Sequence, residues 1–288
     1  MEDFLYTDGA MKNKRIVECV VLSDLHLGTF GCHAKELLSY LKGIKPQLLI
    51  LNGDIVDMWN FRKRYFPKSH LKVIKRIITM AQNGTEVIYI TGNHDEMLRR
   101  FTDMDLGRIK LRNAYSTELN GEKVWFFHGD VFDASIQNAK WLAKLGGWSY
   151  DLLIWINRWV NVALEKMGRE KYSLSKHVKN SVKKAIKFID DFEAAAAEWA
   201  EARGYQRVVC GHIHQPQMRI IQTTRGPIHY MNSGDWVENC TALEFHQGEW
   251  SLYTHPFVSD EEEHDQKVDA NARELVKLIL HSDLSQVF

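Results

Sequence analysis

Five short apolar runs in this sequence are each followed at once by side chains that can bind a divalent cation. VVLSDLH delivers Asp24 and His26, LLILNGD delivers Asp54, and VIYITGNHD delivers Asn93, His94 and Asp95. VWFFHGD adds His128, and RVVCGHIH adds His212 and His214. Carboxylate, imidazole and amide donors without a thiolate suit borderline-hard divalent ions, manganese by preference with iron or zinc as alternatives. Two such ions ~3.5–4 Å apart need a bridging group, and the two oxygens of Asp54 make it the candidate. Taken singly, each motif also reads as a turn: Asp24 capping the turn that follows it, Asp54 closing an Asx turn after Gly53, Asn93 in a tight turn after Gly92. Their repetition in register favours metal chemistry.

The elements that must position these residues can be read from the same runs. IVECVVL, QLLIL and EVIYI predict strands, and helical patterns over 33–43 and 69–83 separate them, the order of an α/β layer. In open α/β sheets ligands bind beyond the carboxyl ends of strands, so five such ends can converge on one crevice. At the fifth, Cys210 ends a strand, Gly211 lets the backbone turn, and both imidazoles can serve neighbouring ions. QMRIIQT, GPIHYMN, TALEF and EWSLYT predict antiparallel strands in a second sheet or at an edge. Between KVWFF and RVVC, residues 133–205 form a long helical insertion, with Val178, Val182, Ile186 and Ile189 as an apolar stripe. From 259 onward an acidic linker precedes the amphipathic ARELVKLIL.

Thirty-seven basic residues balance thirty-seven acidic ones, so no global field draws the chain to nucleic acid, and none is expected as a partner. Cys19, Cys32, Cys210 and Cys240 show no paired spacing, the amino terminus lacks a secretory pattern, and no apolar stretch reaches the ~20 residues of a membrane span. A reduced, cytoplasmic protein is the expectation.

The ordered set D-x-H, G-D-x-x-D, G-N-H-D, H-G-D and G-H-x-H resembles the calcineurin-like metallophosphoesterases over residues 16–245. That resemblance implies two packed mixed β-sheets flanked by helices, here with a helical cap insertion. It implies Asp24, His26, Asp54 and His214 on one ion, and Asp54, Asn93, His128 and His212 on the other. His94 would touch the leaving group or a phosphoryl oxygen, and Asp95 would orient His94. The domain boundaries follow as 14–258 for the metallophosphoesterase domain, with 133–205 inserted in it, and 259–288 for the linker and tail.

Features outside the five motifs bear on the substrate. Trp59 and Arg62 follow Asp54, and Arg99 follows His94; basic groups beside a dimetal site suit a substrate with more than one phosphate. Trp141, Trp148, Trp155 and Trp159 crowd one part of the insertion, either as helix packing or as a greasy pocket meeting a membrane interface. Lys176, Lys179 and Lys183 follow along one helical face. A cap with an aromatic wall and a basic edge resembles the UDP-2,3-diacylglucosamine diphosphatases of lipid A synthesis, which implies a lipid-linked nucleotide substrate and peripheral contact with the inner face of the cytoplasmic membrane. The departure is GNHD at 92–95, where the best-known branch reads GNRD.

Overall fold

The computed structural model describes residues 14–58, 65–134 and 174–256. Trp59, Arg62, the four tryptophans of the insertion and the tail from 257 lie outside the described residues. The chain divides into two compact units, one formed by Met1–Gly129 and Ala200–Phe288, the other by Asp130–Trp199.

The first unit is built on two mixed sheets. Strands β1 (Arg15–Leu22), β2 (Ile44–Asn52) and β3 (Glu86–Ile90) run parallel, with α1 (Ala34–Gly43) and α2 (Lys68–Gln82) as crossovers. The short β4 (Asp105–Leu106) and β5 (Ile109–Arg112) extend this sheet beyond β3. The second sheet starts with β6 (Ala114–Leu119) and β7 (Glu122–Phe127) and continues with β8 (Arg207–Cys210), β9 (Gln217–Gln222) and β10 (Pro227–Asn232). Its order is β6-β7-β8-β10-β9. The last hairpin, β11 (Thr241–His246) and β12 (Glu249–Thr254), returns to the first sheet, whose order is β12-β11-β1-β2-β3-β5-β4. The four closing strands predicted as one group are therefore divided: one hairpin edges the second sheet and the other edges the first.

Period-two alternation builds the layers. Cys19 and Val21 of β1, Ile50 of β2 and Ile88 and Ile90 of β3 face Val124, Phe126, Val209 and Met231 of the second sheet in one buried cluster. Val20, Leu22, Leu49, Leu51 and Val87 turn the other way, against Leu37 and Leu41 of α1 and Val73 and Ile77 of α2. Each such side chain, fully buried, is worth about 1.5–3 kcal/mol. A one-residue slip of any central strand would exchange the two cores, so the alternation also sets which residue ends each strand. The four cysteines are free.

In the second unit, Asp130–Ala134 form a short 3-10 helix, and α3 (Leu174–Ala202) carries Phe192, Ala196 and Ala197 buried. Phe132 packs edge-on to Phe192 and Trp199, at 5.4 and 5.0 Å between ring centroids. The helical reading of the insertion therefore holds over 174–202. Lys176, Lys179 and Lys183 lie in α3.

One buried polar contact outside the strand ends ties the loop after β1 to α2: the Gly28 N–H donates to His70 Nδ1 at 2.9 Å. His70 is buried, and burial lowers its pKa to about 4 from 6.5. The unfolded chain therefore binds a proton that the folded chain refuses, and stability present above pH 6.5 is lost as pH falls toward 4. Urea unfolding of His70→Gln should show a shallower loss between pH 7 and 4.5 than the parent, by about 2–3 kcal/mol. Parallel losses in the two proteins would remove His70 as a source of acid sensitivity.

Candidate metal centre

Strand ends β1, β2, β3, β7 and β8 bring together the residues expected from the sequence. Their loops are tied by backbone hydrogen bonds, Asp24 N–H to Gly53 O at 3.0 Å and His26 N–H to Asp54 O at 2.9 Å, so two motifs share one frame. Among the described residues nine non-glycine positions have positive φ, and Asp24, His26, Asp54, His212 and His214 are five of them. Left-handed backbone is unfavourable for these types, costing on the order of 1 kcal/mol or more each, and its concentration here is what turns five side chains inward. Space for the two carboxylates is made by glycine. A Cβ at Gly92 would overlap Asp54 Oδ1, and one at Gly211 would lie 2.6 Å from Asp24 Oδ2.

Three overlapping sets of donors lie mutually within 4.8 Å: Asp24, His26 and His214; His26, Asp54 and His94; and Asp54, His128 and His212. Asp54 sits between them. Its Oδ1 accepts the His94 N–H at 2.8 Å, and its Oδ2 is 3.3 Å from His128 Nε2 and 4.0 Å from His26 Nε2. Burial pushes this carboxyl up, but His128, then His26 and His94, outweigh it and hold Asp54 far below the usual carboxylate range. Asp24 behaves alike: burial opposes its charge, and His214 and His128 hold it low. Asp24 Oδ1 is 3.2 Å from His214 Nε2, while Oδ2 accepts the His212 N–H at 3.0 Å. Burial lowers His26 to about 4; the same effect on His214 is overcome by Asp24, then Asp235 and Asp54, which raise it to about 9.

The donor set fits two borderline-hard divalent ions. Asn93 Oδ1 is buried and accepts no hydrogen bond among the described residues, the condition of an amide oxygen available to a cation. His128 Nδ1 lies 2.9 Å from Asn52 O, which can only accept, so Nδ1 carries a proton and Nε2, facing Asp54, is the nitrogen that could be offered to an ion. Asn52 in turn donates through Nδ2 to Phe127 O at 3.1 Å, linking the end of β2 to the second sheet.

The carboxylate nearest the His94 ring is not the one expected beside it. Asp95, expected to orient His94, has both oxygens engaged elsewhere: Oδ1 accepts the Gly92 N–H at 2.5 Å, and Oδ2 accepts Ile55 N–H at 3.1 Å and Tyr89 O–H at 2.6 Å. The carboxylate beside His94 Nδ1, at 3.3 Å, is Asp57. Asp57 was legible as the last position of G-D-x-x-D, but that motif alone assigned it no partner. Arg99 lies on the 3-10 helix Glu96–Phe101 that continues directly from Asp95.

The two aspartates should separate on mutation. Asp57→Asn is expected to lower turnover by about 10²–10³ with unfolding and metal content near parental, if the His94 imidazole it would free is the expected proton donor. Asp95→Asn is expected to cost about 1–3 kcal/mol of stability, because it disturbs three buried donors. Denaturation and single-turnover rates on both variants check this; the reverse pattern would restore Asp95 as the partner of His94.

A family model described as calcineurin-like phosphoesterase matches residues 18–216. A protein named UDP-2,3-diacylglucosamine hydrolase from Aeromonas hydrophila is 24% identical over 250 residues, covering 82% of this chain and 98% of that protein. A Pseudomonas aeruginosa protein of the same name is 23% identical over 232 residues, covering 77% and 92%. The solved structure of a phosphoesterase from E. coli is 14% identical with a TM-score of 0.39, covering 83% of this chain and 99% of that one. All five motifs, from Asp24 to His214, fall inside the span of the family model, and the chain belongs to the calcineurin-like phosphoesterases as a metal-dependent phosphoester hydrolase.

Proposed function

We propose that this hydrolase cleaves the pyrophosphate of an acylated nucleotide sugar of the UDP-2,3-diacylglucosamine kind, releasing UMP and a lipid monophosphate. The observation that carries the reading is the reach of the similarity. The alignment covers 82% of this chain and 98% of the Aeromonas hydrolase, far more residues than the metal motifs alone occupy. In this reading residues 14–258 form the catalytic domain and 133–205 its helical cap, with the tryptophans at the acyl chains and Lys176, Lys179 and Lys183 at the basic edge. Trp59, Arg62 and Arg99 bind the phosphates and nucleotide. The enzyme works in the cytoplasm against the inner face of the membrane; no helix among the described residues is long and apolar enough to cross one.

Asp24, His26, Asp54 and His214 would hold one ion, and Asp54, Asn93, His128 and His212 the other, with manganese as the preferred metal. Such ions acidify water and neutralise charge on phosphoryl oxygens as the bond to the leaving group breaks. Asp57, 3.3 Å from Nδ1 of His94, would orient the ring so that Nε2, 4.0 Å from Asp54 Oδ2, can donate a proton to the departing oxygen. A second reading, a phosphodiesterase or phosphatase acting on a soluble nucleotide or small ester, is favoured by one feature: this chain reads GNHD at 92–95, a departure from the GNRD of the best-known branch it resembles.

Manganese-loaded protein assayed on UDP-2,3-diacylglucosamine, on soluble nucleotide diphosphates and on diesters decides between them, with Asp54→Asn as control. The expected result is metal-dependent UMP release preferring the acylated substrate, reduced by at least about 10³ in Asp54→Asn. Turnover confined to soluble esters would keep the hydrolase and reject the acylated substrate.

A further inference from the structure

The segment following β10, Ser233 to Asn239 (SGDWVEN), contains no metal-ligand spacing and none of its residues was expected at the site. Asp235 and Trp236 are nevertheless fully buried. A buried carboxylate demands donors, and Asp235 Oδ1 has three: the N–H groups of Val237 at 2.7 Å, of Glu238, and of Asn239 at 3.3 Å. Those bonds account for one oxygen. The other, Oδ2, lies 3.8 Å from His214 Nδ1 and accepts the side-chain amide of Asn239. The same Asn239 amide donates to His214 O at 3.1 Å, so residues 235 and 239 address both the ring and the backbone of His214.

The segment also grips the partner of His214. Trp236 N–H donates to Asp24 O at 3.2 Å, Ser23 Oγ donates to Gly234 O at 2.8 Å, and the Ser23 and Ser233 hydroxyls are 2.7 Å apart. Asp24 and His214 both have left-handed backbone, a conformation that persists only when its surroundings impose it.

We propose that 233–239 is a positioning clamp for Asp24 and His214, with Asp235 the residue that fixes the His214 ring. A ligating imidazole must offer one nitrogen to the ion and keep the proton on the other; a carboxylate facing Nδ1 holds that tautomer and orientation. The inference rests on the reading of Asp24 and His214 as ligands of one ion. The capping of three N–H groups by Oδ1 would be served equally by asparagine, so Asp235→Asn separates that structural role from the action of Oδ2 on His214.

The test is titration of the full metal-free chain with Mn2+ alone, followed by bound-metal analysis and electron paramagnetic resonance. The parent should bind two ions. Asp235→Asn should bind one with parental affinity and the other about 10–100-fold more weakly, giving the signal of an isolated ion at limiting metal. Asn239→Ala, which leaves the three-donor cap in place, should weaken the same ion to a smaller extent, and it decides the matter if Asp235→Asn fails to fold. Parental affinity for both ions in both variants, or equal weakening of both ions with a lowered metal-free melting point, would overturn the clamp. His214→Ala tells the two levels apart: retention of two ions there would reject the ligand reading itself, while loss of one ion there and none in Asp235→Asn would reject only the role of Asp235.

Discussion

The charge on Asp54 is the constraint around which this fold is organised. A carboxylate taken out of water costs several kcal/mol, and Asp54 is buried just past the end of a central strand that is paired on both sides, by β1 and by β3. Only converging positive charge and N–H donors can hold it there. The structure provides the His94 N–H on one oxygen and three imidazoles around the other. At an effective dielectric near 20, unit charges ~4 Å apart interact by about 4 kcal/mol, so a divalent ion held among these donors would exceed the desolvation cost. The five strand ends therefore have a common electrostatic reason to meet.

That meeting requires both sheets to end at the same level. The inter-sheet cluster of Ile50, Ile88, Phe126 and Val209 sets their spacing, and Asn52 crosses it to bond Phe127 O. His128 then leans back on Asn52 O. A donor from the second sheet is thus oriented by the strand of the first that carries Asp54. Left-handed backbone at Asp24, His26, Asp54, His212 and His214 is the local cost of turning off a strand within one residue, and glycine at 92 and 211 removes the Cβ atoms that would block the carboxylates. Stability is given up at these positions in return for a pre-formed cluster of donors.

Much of this was legible because two independent patterns coincide. Apolar, β-branched runs announced β3, β8 and β12 with the boundaries observed, and ligand residue types follow the strands that end at the site. The strands that escaped notice are β4, β5 and β6: DL is two exposed residues, and IKLR and AYSTEL mix charge and polarity because they sit toward sheet edges, half exposed, where no continuous apolar face is required. The division of the closing hairpins between two sheets was also hidden, since local alternation says that a strand has two faces and not which neighbour it joins. The loop 233–239 had no signal of its own. Asp235 accepts backbone N–H groups and Asn239 donates to a backbone carbonyl, and such contacts depend on the path of the chain rather than on residue spacing.

The contacts of Asp57 and Asp95 show how little adjacency in sequence says about contact. Asp95 follows His94 directly, yet neighbouring residues diverge, and this side chain turns back beneath its own turn to bind Gly92, Ile55 and Tyr89. Asp57 is thirty-seven positions from His94 along the chain but belongs to the loop of Asp54, and Met58 N–H donates to His94 O at 3.2 Å, bringing the two loops side by side. The fixed spacing from Asp54 to Asp57 then acquires a physical meaning. One turn beyond β2 offers a carboxylate at each end, the first to the centre of the cation cluster and the second to the imidazole that faces it. The motif encodes a distance between two negative charges, and the partner of each is chosen by the neighbouring strand end.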